Sequence, residues 1–304
     1  MAQSIVQKIA PLSTPLAEPA MPTATRRANA AASRPTGASF WRRELGAAAR
    51  ASIGTLAAVV LVGVWWLVSG PLEWAPPLFL PPPQEVARTL VRMCVEPYIG
   101  STLWGHVYAS LSVVMTGWLL AGIVGVPLGI GMAWWRKLRW IVFPLFQLVR
   151  PVPPLAWIPL AIVWLGLGDT ARVSVVFIAA LVPWVLNAMQ AVYSVDALLV
   201  HAARTLGASE GRILTRVVCR TALPTLVAGA RIALGNAWTT LIAAELLAAS
   251  SGLGYIALNA SRTLETGVLL VAMGIIGLLG ALFSVGMRKA ARVMAPWSAR
   301  NGDD

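Results

Sequence analysis

The sequence contains few charged residues. Asp, Glu, Lys and Arg make up 12% of its 304 residues, while 58% are hydrophobic and the mean hydropathy is +0.72. A soluble globular domain carries roughly 25% charged residues, so the composition excludes an ordinary soluble domain and excludes disorder over most of the length. Cysteine is also scarce, because Cys94 and Cys219 are the only two, and they fit neither a metal-ligand spacing nor a disulfide framework. The sequence therefore predicts no metal site and no disulfide.

Long stretches without charge follow Arg50 and indicate membrane-spanning helices. A helix needs roughly 20 apolar residues to cross the hydrocarbon core of a bilayer. We therefore predict an all-α polytopic membrane protein with six transmembrane helices, at about 51–70, 107–133, 142–166, 173–195, 224–248 and 266–287. They lie in a transmembrane domain at 48–293, between a basic, disordered cytoplasmic tail at 1–47 and a cytoplasmic C-terminal tail at 294–304.

Lys and Arg are distributed unevenly among the segments that flank these helices. Eighteen of the 24 basic residues fall in segments 1–50, 133–139, 195–220 and 288–304, whereas four fall in 70–104, 169–172 and 250–265. Because cytoplasmic loops retain Lys and Arg, this bias predicts that both termini lie in the cytoplasm. It also accounts for the net charge of +12 without a nucleic-acid partner, which we do not expect.

The segment 196–222, between the fourth and fifth predicted helices, carries the most informative pattern. It contains Ala202-Ala203 and Leu206-Gly207-Ala208, and it leads to Pro224. Helices are predicted on both sides of Gly207, since glycine permits backbone angles that a helix interior does not use. The small side chains would let this turn sit deep in the groove of a partner, which suits a mechanical lever better than a catalytic site.

This segment resembles the Glu-Ala-Ala loop of permease subunits of bacterial binding-protein-dependent ABC importers, with His201 where the broad family has Glu. Other segments resemble the sulfonate, taurine and nitrate permeases of that family: Arg150–Leu160, Trp164–Asp169, Ala243–Ala249 and Gly252–Tyr255. Within the family, Trp238–Leu246 and Ala295-Pro296-Trp297 look most like the taurine permeases. The resemblance covers about residues 41–298.

The resemblance implies the fold of a type I ABC importer permease in the bacterial inner membrane, with a periplasmic binding protein, two ATP-binding subunits and a second permease copy as partners. It implies that Ala202, Ala203, Leu206, Gly207, Ala208 and Pro224 couple the chain to the ATPase. The sequence agrees that the chain has no ATPase of its own. A P-loop needs Gly-Lys, and Lys8, Lys137 and Lys289 follow Gln7, Arg136 and Arg288. We therefore expect a transport subunit without catalytic residues or cofactor.

Charged residues inside the predicted spans form a second group of candidates. A charge at the bilayer centre costs about 2.5–3.5 kcal/mol, so Arg150, Arg231 and Glu245 need an explanation. Arg231 and Glu245 are 14 residues apart and are expected on roughly one helix face, with Asn236 and Thr239 nearby. This face would line the translocation pathway or the permease dimer interface; alternatively, the charges bond to neighbouring helix ends. Arg150 would attract an anionic sulfonate or anchor its helix.

Other functions remain open at this stage. The predicted substrate is taurine or an aliphatic sulfonate, with nitrate, cyanate or another small solute as the alternative. A secondary transporter or channel is expected to show ion relays or an inverted repeat, and neither is evident. A hydrolase would use Gly207-Ala208-Ser209-Glu210-Gly211, but both histidines precede Ser209 and no strand pattern leads to it. A membrane scaffold without transport is the last alternative.

Overall fold

The computed structural model describes residues 47–72, 74 and 76–295. The predicted tails at 1–47 and 294–304 lie almost entirely outside these residues. The described part is helical and contains no β-strand, which confirms the predicted all-α class. Its ten principal helices are α1 (Ala47–Ser69), α2 (Pro83–Val95), α3 (Leu103–Trp134), α4 (Arg136–Val149), α5 (Ile158–Leu165), α6 (Asp169–Tyr193), α7 (Ala197–Thr205), α8 (Cys219–Ala248), α9 (Leu253–Thr263) and α10 (Thr266–Met294).

Five helical segments among the described residues are long and apolar enough to cross a membrane. They are Ser52–Ser69, Leu103–Trp134, Asp169–Tyr193, Glu210–Leu247 and Thr266–Met294. A sixth span results if α4 and the following Pro154–Leu165 are counted together, although the two are bent by 86°. The number of spans therefore agrees with the six predicted helices.

The third span is broken at the prolines that follow Arg150, as that stretch of sequence indicates. In place of one helix at 142–166, the structure has α4, a sharp bend, a 3₁₀ turn at Pro154–Trp157, and then α5. The bend follows from the sequence Arg150-Pro151-Val152-Pro153-Pro154, because proline has no N–H with which to continue a helical hydrogen-bond ladder. Arg150 lies at this bend and is exposed, so the structure does not place it inside a continuous transmembrane helix.

The chain divides into two compact units, and the boundary lies inside α1, between Leu61 and Val62. The part of α1 that belongs to the first unit exposes large apolar side chains such as Leu56 and Val59, as expected for a helix surrounded by lipid. In the second unit, the indole of Trp65 donates a hydrogen bond to the carbonyl of Pro81 at 3.2 Å, which attaches the end of α1 to the segment before α2.

The core of the second unit is built where α3, α6 and α8 pack together. Small residues allow the backbones of α3 and α6 to approach closely: a Cβ on Gly129 would lie 2.5 Å from the carbonyl oxygen of Val185 and 2.7 Å from Cβ of Ala188. Gly125 and Gly129 form a G-x-x-x-G pair, a spacing that lets helix backbones approach closely, and both glycines face α6 here. This core fixes α8, which carries Pro224 and four of the five candidate pathway residues.

We predict that Gly129→Ala destabilises the protein by about 1–3 kcal/mol, because the added methyl overpacks the contact with α6. The matched control is Gly277→Ala in α10, where a Cβ would meet no atom within 4 Å. That change should be neutral or stabilising, since alanine is the better helix former by about 1 kcal/mol. The thermal unfolding midpoints of the two variants in detergent measure the difference, and an unchanged midpoint for Gly129→Ala would contradict the packing described.

Candidate functional site

α7 and the turn that follows it are fixed by specific hydrogen bonds at both ends of the helix. α7 begins at an N-cap, where the Asp196 carboxylate accepts from the N–H of Leu198 at 2.8 Å. It ends in a Schellman arrangement: the N–H of Ala208 donates to the carbonyl of Ala203 at 3.1 Å, and that of Gly207 to Arg204 at 2.9 Å. The turn is therefore an ordered helix terminus.

Gly207 occupies the position of this arrangement that requires a left-handed backbone. Its φ is +75°, which residues with a Cβ adopt only at a cost. Apart from its two chain neighbours, no described residue has an atom within 4 Å of the place where a Cβ on Gly207 would be. Its neighbour Leu206 is 86% exposed, and Ala202 is exposed as well. The tip of the turn thus combines an apolar side chain with backbone that a partner can approach closely.

The inner side of the same turn is anchored to the rest of the protein. Ala203 and Ala208 are half-buried and pack against a small cluster formed by Val192, Ile213 and Val218. Val192 belongs to α6, whereas Ile213 and Val218 belong to the π-helical segment that leads into α8. The alanines predicted to act together therefore divide by position: Ala202 faces outward, and Ala203 and Ala208 hold the turn in place.

An ion pair that the sequence analysis missed spans the turn. The guanidinium of Arg204 donates to both carboxylate oxygens of Glu210, at 2.9 and 3.2 Å. These hydrogen bonds and the negative charge of Glu210 raise the pKa of Arg204 above its ordinary value. The two residues are six apart in sequence, and only the reversal at Gly207 brings them together, so neither helical nor strand spacing indicates the pair.

Between the turn and α8 the chain stays helical. A single helical turn, Glu210–Arg212, leads into a π-helix, Ile213–Val218, which continues directly into α8. The helix predicted after Gly207 is therefore present, but it continues without interruption into the fifth span, which begins well before residue 224. Pro224 lies inside α8 and is half-buried, apart from the turn with which it was grouped. Displacement of the turn would act on α8 through this continuous helix.

One face of α8 is not covered by any other part of the chain that the structure describes. Arg231, Asn236 and Thr239 are all exposed on it, which brings together three of the predicted pathway residues. Glu245 does not join them, because its side chain is completely buried. The expectation that Arg231 and Glu245 share a face was wrong. Fourteen residues leave a rotation of about 40° at 3.6 residues per turn, and that rotation is enough to turn Glu245 into the core.

Glu245 is enclosed by polar groups from three other parts of the fold. Its Oε1 accepts a hydrogen bond from the hydroxyl of Ser110 in α3 at 2.7 Å, and its Oε2 accepts from the N–H of Gly254 at 2.8 Å. The guanidinium of Arg172 in α6 lies 3.9 Å from Oε1. Of the two roles considered for this carboxylate, the contacts within the chain correspond to bonding with a neighbouring helix end.

That helix end is the N-terminus of α9, whose first N–H groups have no partner within the helix. Besides Gly254, the N–H of Leu253 donates to the hydroxyl of Ser110 at 2.9 Å, and the N–H of Gly252 to Nδ1 of His106 at 3.1 Å. The other ring nitrogen of His106 lies 3.0 Å from the carbonyl of Tyr98. A neutral imidazole protonated at Nε2 satisfies both contacts.

Two further features make this arrangement specific. Gly252 has φ +122°, and a Cβ there would collide with the Glu245 carboxylate. Arg172, which is 2% exposed, also donates to the carbonyl of Ser251 at 2.9 Å and pairs with Asp169. We refer to Glu245, Ser110, His106 and Arg172 as the α9-capping cluster. Of these four residues, the sequence indicated only Glu245. Arg172 could also have been singled out, because it is a charged residue directly before an uncharged stretch of membrane-spanning length.

Residues 125–296 match the model of a protein family described as the inner membrane component of binding-protein-dependent transport systems. The match extends over more than half of the chain, from the last third of α3 to just past the end of α10. It includes the turn and, from the α9-capping cluster, Arg172 and Glu245, whereas His106 and Ser110 precede it. The chain belongs to this family. It is a non-catalytic membrane permease component of an ABC importer, and ATP hydrolysis belongs to a separate subunit. Family membership implies an ATP-binding subunit and a substrate-binding protein as partners.

Several known permease proteins are similar to this chain over most of their own length. The chain is 40% identical over 258 residues to the taurine transport system permease protein TauC of Escherichia coli, which covers 84% of this chain and 93% of TauC. It is 34% identical to the putative aliphatic sulfonates transport permease protein SsuC of the same organism, over 79% and 89% of the two chains. It is 30% identical to the bicarbonate transport system permease protein CmpB of Synechocystis, over 90% and 98%.

A solved structure shares the fold. The inward-facing MetNI methionine ABC transporter superposes with a TM-score of 0.58 at 21% sequence identity, and the match covers 63% of this chain and 97% of that chain. This likeness confirms the predicted fold of an ABC importer permease.

We predict that Glu245→Ala destabilises the protein by about 3–5 kcal/mol, because it removes the carboxylate that faces the buried Arg172 and leaves the N–H of Gly254 and the hydroxyl of Ser110 without their acceptor. The exposed Glu85→Ala in α2 is the control and should change stability by less than about 1 kcal/mol. Thermal unfolding of the purified chain measures both variants. If Glu245→Ala is too unstable to purify, Ser110→Ala should still lower the midpoint; parent-like unfolding of either variant would contradict the capping role.

Proposed function

We propose that the chain forms the translocation pathway of an ATP-driven importer for a small organosulfonate, taurine or an aliphatic sulfonate, in the bacterial inner membrane. The observation that carries the substrate class is the 40% identity to the taurine permease over most of both chains. In this proposal two copies of the chain form the membrane unit, two ATP-binding subunits attach to it, and a periplasmic binding protein delivers the solute.

The turn around Gly207 is the element that would contact the ATP-binding subunit. Its exposed tip, Ala202 and Leu206, presents apolar surface outward, while Ala203 and Ala208 fix its base. Closure of the ATPase dimer would move this turn, and the continuous helix from Glu210 into α8 would transmit the movement into the membrane. An exposed leucine on an ordered, glycine-terminated turn supports this role, since isolated mobile loops transmit little force.

This mechanism requires the turn to lie in the cytoplasm. The bias of Lys and Arg toward segments 1–50, 133–139, 195–220 and 288–304 supports that orientation, with both termini inside. α8 then runs from the cytoplasmic side, where the turn lies, to the periplasmic side, where Glu245 caps α9.

The uncovered face of α8 would line the pathway between the two copies. Arg231 supplies a positive charge for a sulfonate, and Asn236 and Thr239 supply polar groups beyond it. The hydroxyl of Thr239 donates a hydrogen bond to the carbonyl of Gly235 at 3.2 Å, so the helix itself supplies an acceptor for this group. Arg150, exposed at the bend after α4, is a second positive charge that would attract an anion toward the pathway.

A different small anion is the second candidate substrate. The 30% identity to a bicarbonate permease over 90% of the chain shows that related chains serve inorganic anions as well. The higher identity to the taurine and aliphatic sulfonate permeases favours an organosulfonate.

We predict that Gly207→Asp abolishes uptake while the protein stays folded in the membrane. Aspartate tolerates a left-handed backbone better than most residues, and the chain itself leaves room for its side chain. The new carboxylate would instead meet the ATP-binding subunit. Gly211→Asp is the matched control, because Gly211 is also exposed with open space around it but lies beyond the turn; it should retain uptake and co-purification with the ATPase.

The measurement is uptake of labelled taurine by cells that express the chain with its ATPase and binding protein, with membrane fractions probed for each variant. Competition with unlabelled methanesulfonate, nitrate and bicarbonate tests the substrate class. The comparison of Gly207→Asp with Gly211→Asp tests the coupling role of the turn separately. Inhibition by bicarbonate or nitrate alone would replace the organosulfonate proposal. Full uptake by Gly207→Asp would contradict the coupling role of the turn, whatever the substrate.

A further inference from the structure

Three cationic residues cluster at the junction of α3 and α4. Arg136, Lys137 and Arg139 occupy the first turn of α4, and no Asp or Glu occurs between residues 97 and 168. Among the ion pairs of the described residues, none includes these three cations. The first turn of a helix carries the positive end of the helix dipole and favours acidic residues. Three cations there repel both the dipole and one another, and a bound anion would relieve that repulsion.

Aromatic groups orient two of these cations. The guanidinium of Arg136 lies over the ring of Trp140, 4.8 Å from its centroid. Arg139 donates a hydrogen bond to the hydroxyl of Tyr193, at the end of α6, at 2.8 Å. The planar donors of Arg136 are therefore held in place and still directed to the surface, since stacking uses only the face of the guanidinium.

The surface that continues from these cations along α4 is apolar, and no other part of residues 47–72, 74 and 76–295 covers it. One side of α4, including Leu138, Val142 and Phe146, packs against the core around Met132 and Met189. The opposite side exposes Trp140 (64%), Ile141 (69%), Leu145 (61%) and Leu148 (75%). The cations lie at one end of this apolar strip. The surface therefore matches a phospholipid, in which a charged headgroup adjoins the acyl chains.

We propose that the first turn of α4 and the apolar strip below it form a binding site for one anionic phospholipid. The phosphodiester contacts Arg136 and Lys137, Arg139 adds to the positive potential, and an acyl chain lies along Ile141, Leu145 and Leu148. A phospholipid fits better than a soluble anion because the apolar strip adjoins the cations directly. The site is independent of the transported solute and of the turn at Gly207.

The test is a titration of the purified full-length chain in neutral detergent with a fluorescent phosphatidylglycerol, followed by anisotropy. Phosphatidylcholine with the same acyl chains is the control lipid, and we expect it to bind at least about tenfold more weakly. Arg136→Gln combined with Lys137→Gln should weaken phosphatidylglycerol binding by about 30-fold, or about 2 kcal/mol. Trp140→Leu, which keeps all three charges, should weaken it by about threefold through loss of the cation–π contact.

The chain offers a closely matched control pair. Arg288 and Lys289, near the end of α10, repeat the same dipeptide on an exposed surface. Arg288→Gln combined with Lys289→Gln should leave the affinity unchanged, with size-exclusion profiles showing that each variant is folded. Equal losses in both double variants would show general attraction to basic residues and overturn the proposal. So would displacement of the lipid by millimolar inorganic phosphate, since that would indicate a site for a free anion.

Discussion

The structure depends on one buried carboxylate, whose charge and hydrogen-bond acceptors are compensated by protein groups instead of water. Glu245 is completely buried in a helix that crosses the membrane, and it accepts hydrogen bonds from the hydroxyl of Ser110 and the N–H of Gly254 with Arg172 at 3.9 Å. The positive end of the α9 dipole adds to this compensation. Because the partners come from α3, α6 and α9, the carboxylate of α8 fixes four helices relative to one another. Removal of any partner would leave a buried polar group unsatisfied.

This constraint gives the two ends of α8 different properties. The end that carries Glu245 is held by the α9-capping cluster, while the other end passes through a π-helix into an exposed turn at Gly207. A π-helical segment is a common feature of functional sites in helices. In the proposed transport cycle, movement applied at the turn therefore reaches a helix whose far end is fixed in the bundle, so that α3, α6, α8 and α9 move as one body.

Much of this arrangement was predictable from the sequence, for identifiable reasons. Uncharged stretches located the helices, and Gly207 located the turn, because both signals are local. The role of Glu245 was not predictable, since hydrophobic periodicity does not show which arc of a uniformly apolar helix faces the core. Ser110 and His106 gave no signal because their partners, 135 and 146 residues away, are known only from the fold. The prolines after Arg150 indicated a break, but the 86° angle depends on packing against α6.

The proposed function requires α8 and the helix before it to connect a turn in the cytoplasm to the capped end of α9 on the other side of the membrane. Single cysteines at Leu206 and Ser250, in a chain with Cys94→Ser and Cys219→Ser, allow the turn before α8 and the segment after it to be probed with a membrane-impermeant maleimide. In intact spheroplasts we expect labelling at position 250 and protection at position 206 until the membrane is permeabilised. Labelling at position 206 in sealed spheroplasts would contradict the orientation, and with it the coupling of this turn to a cytoplasmic ATPase.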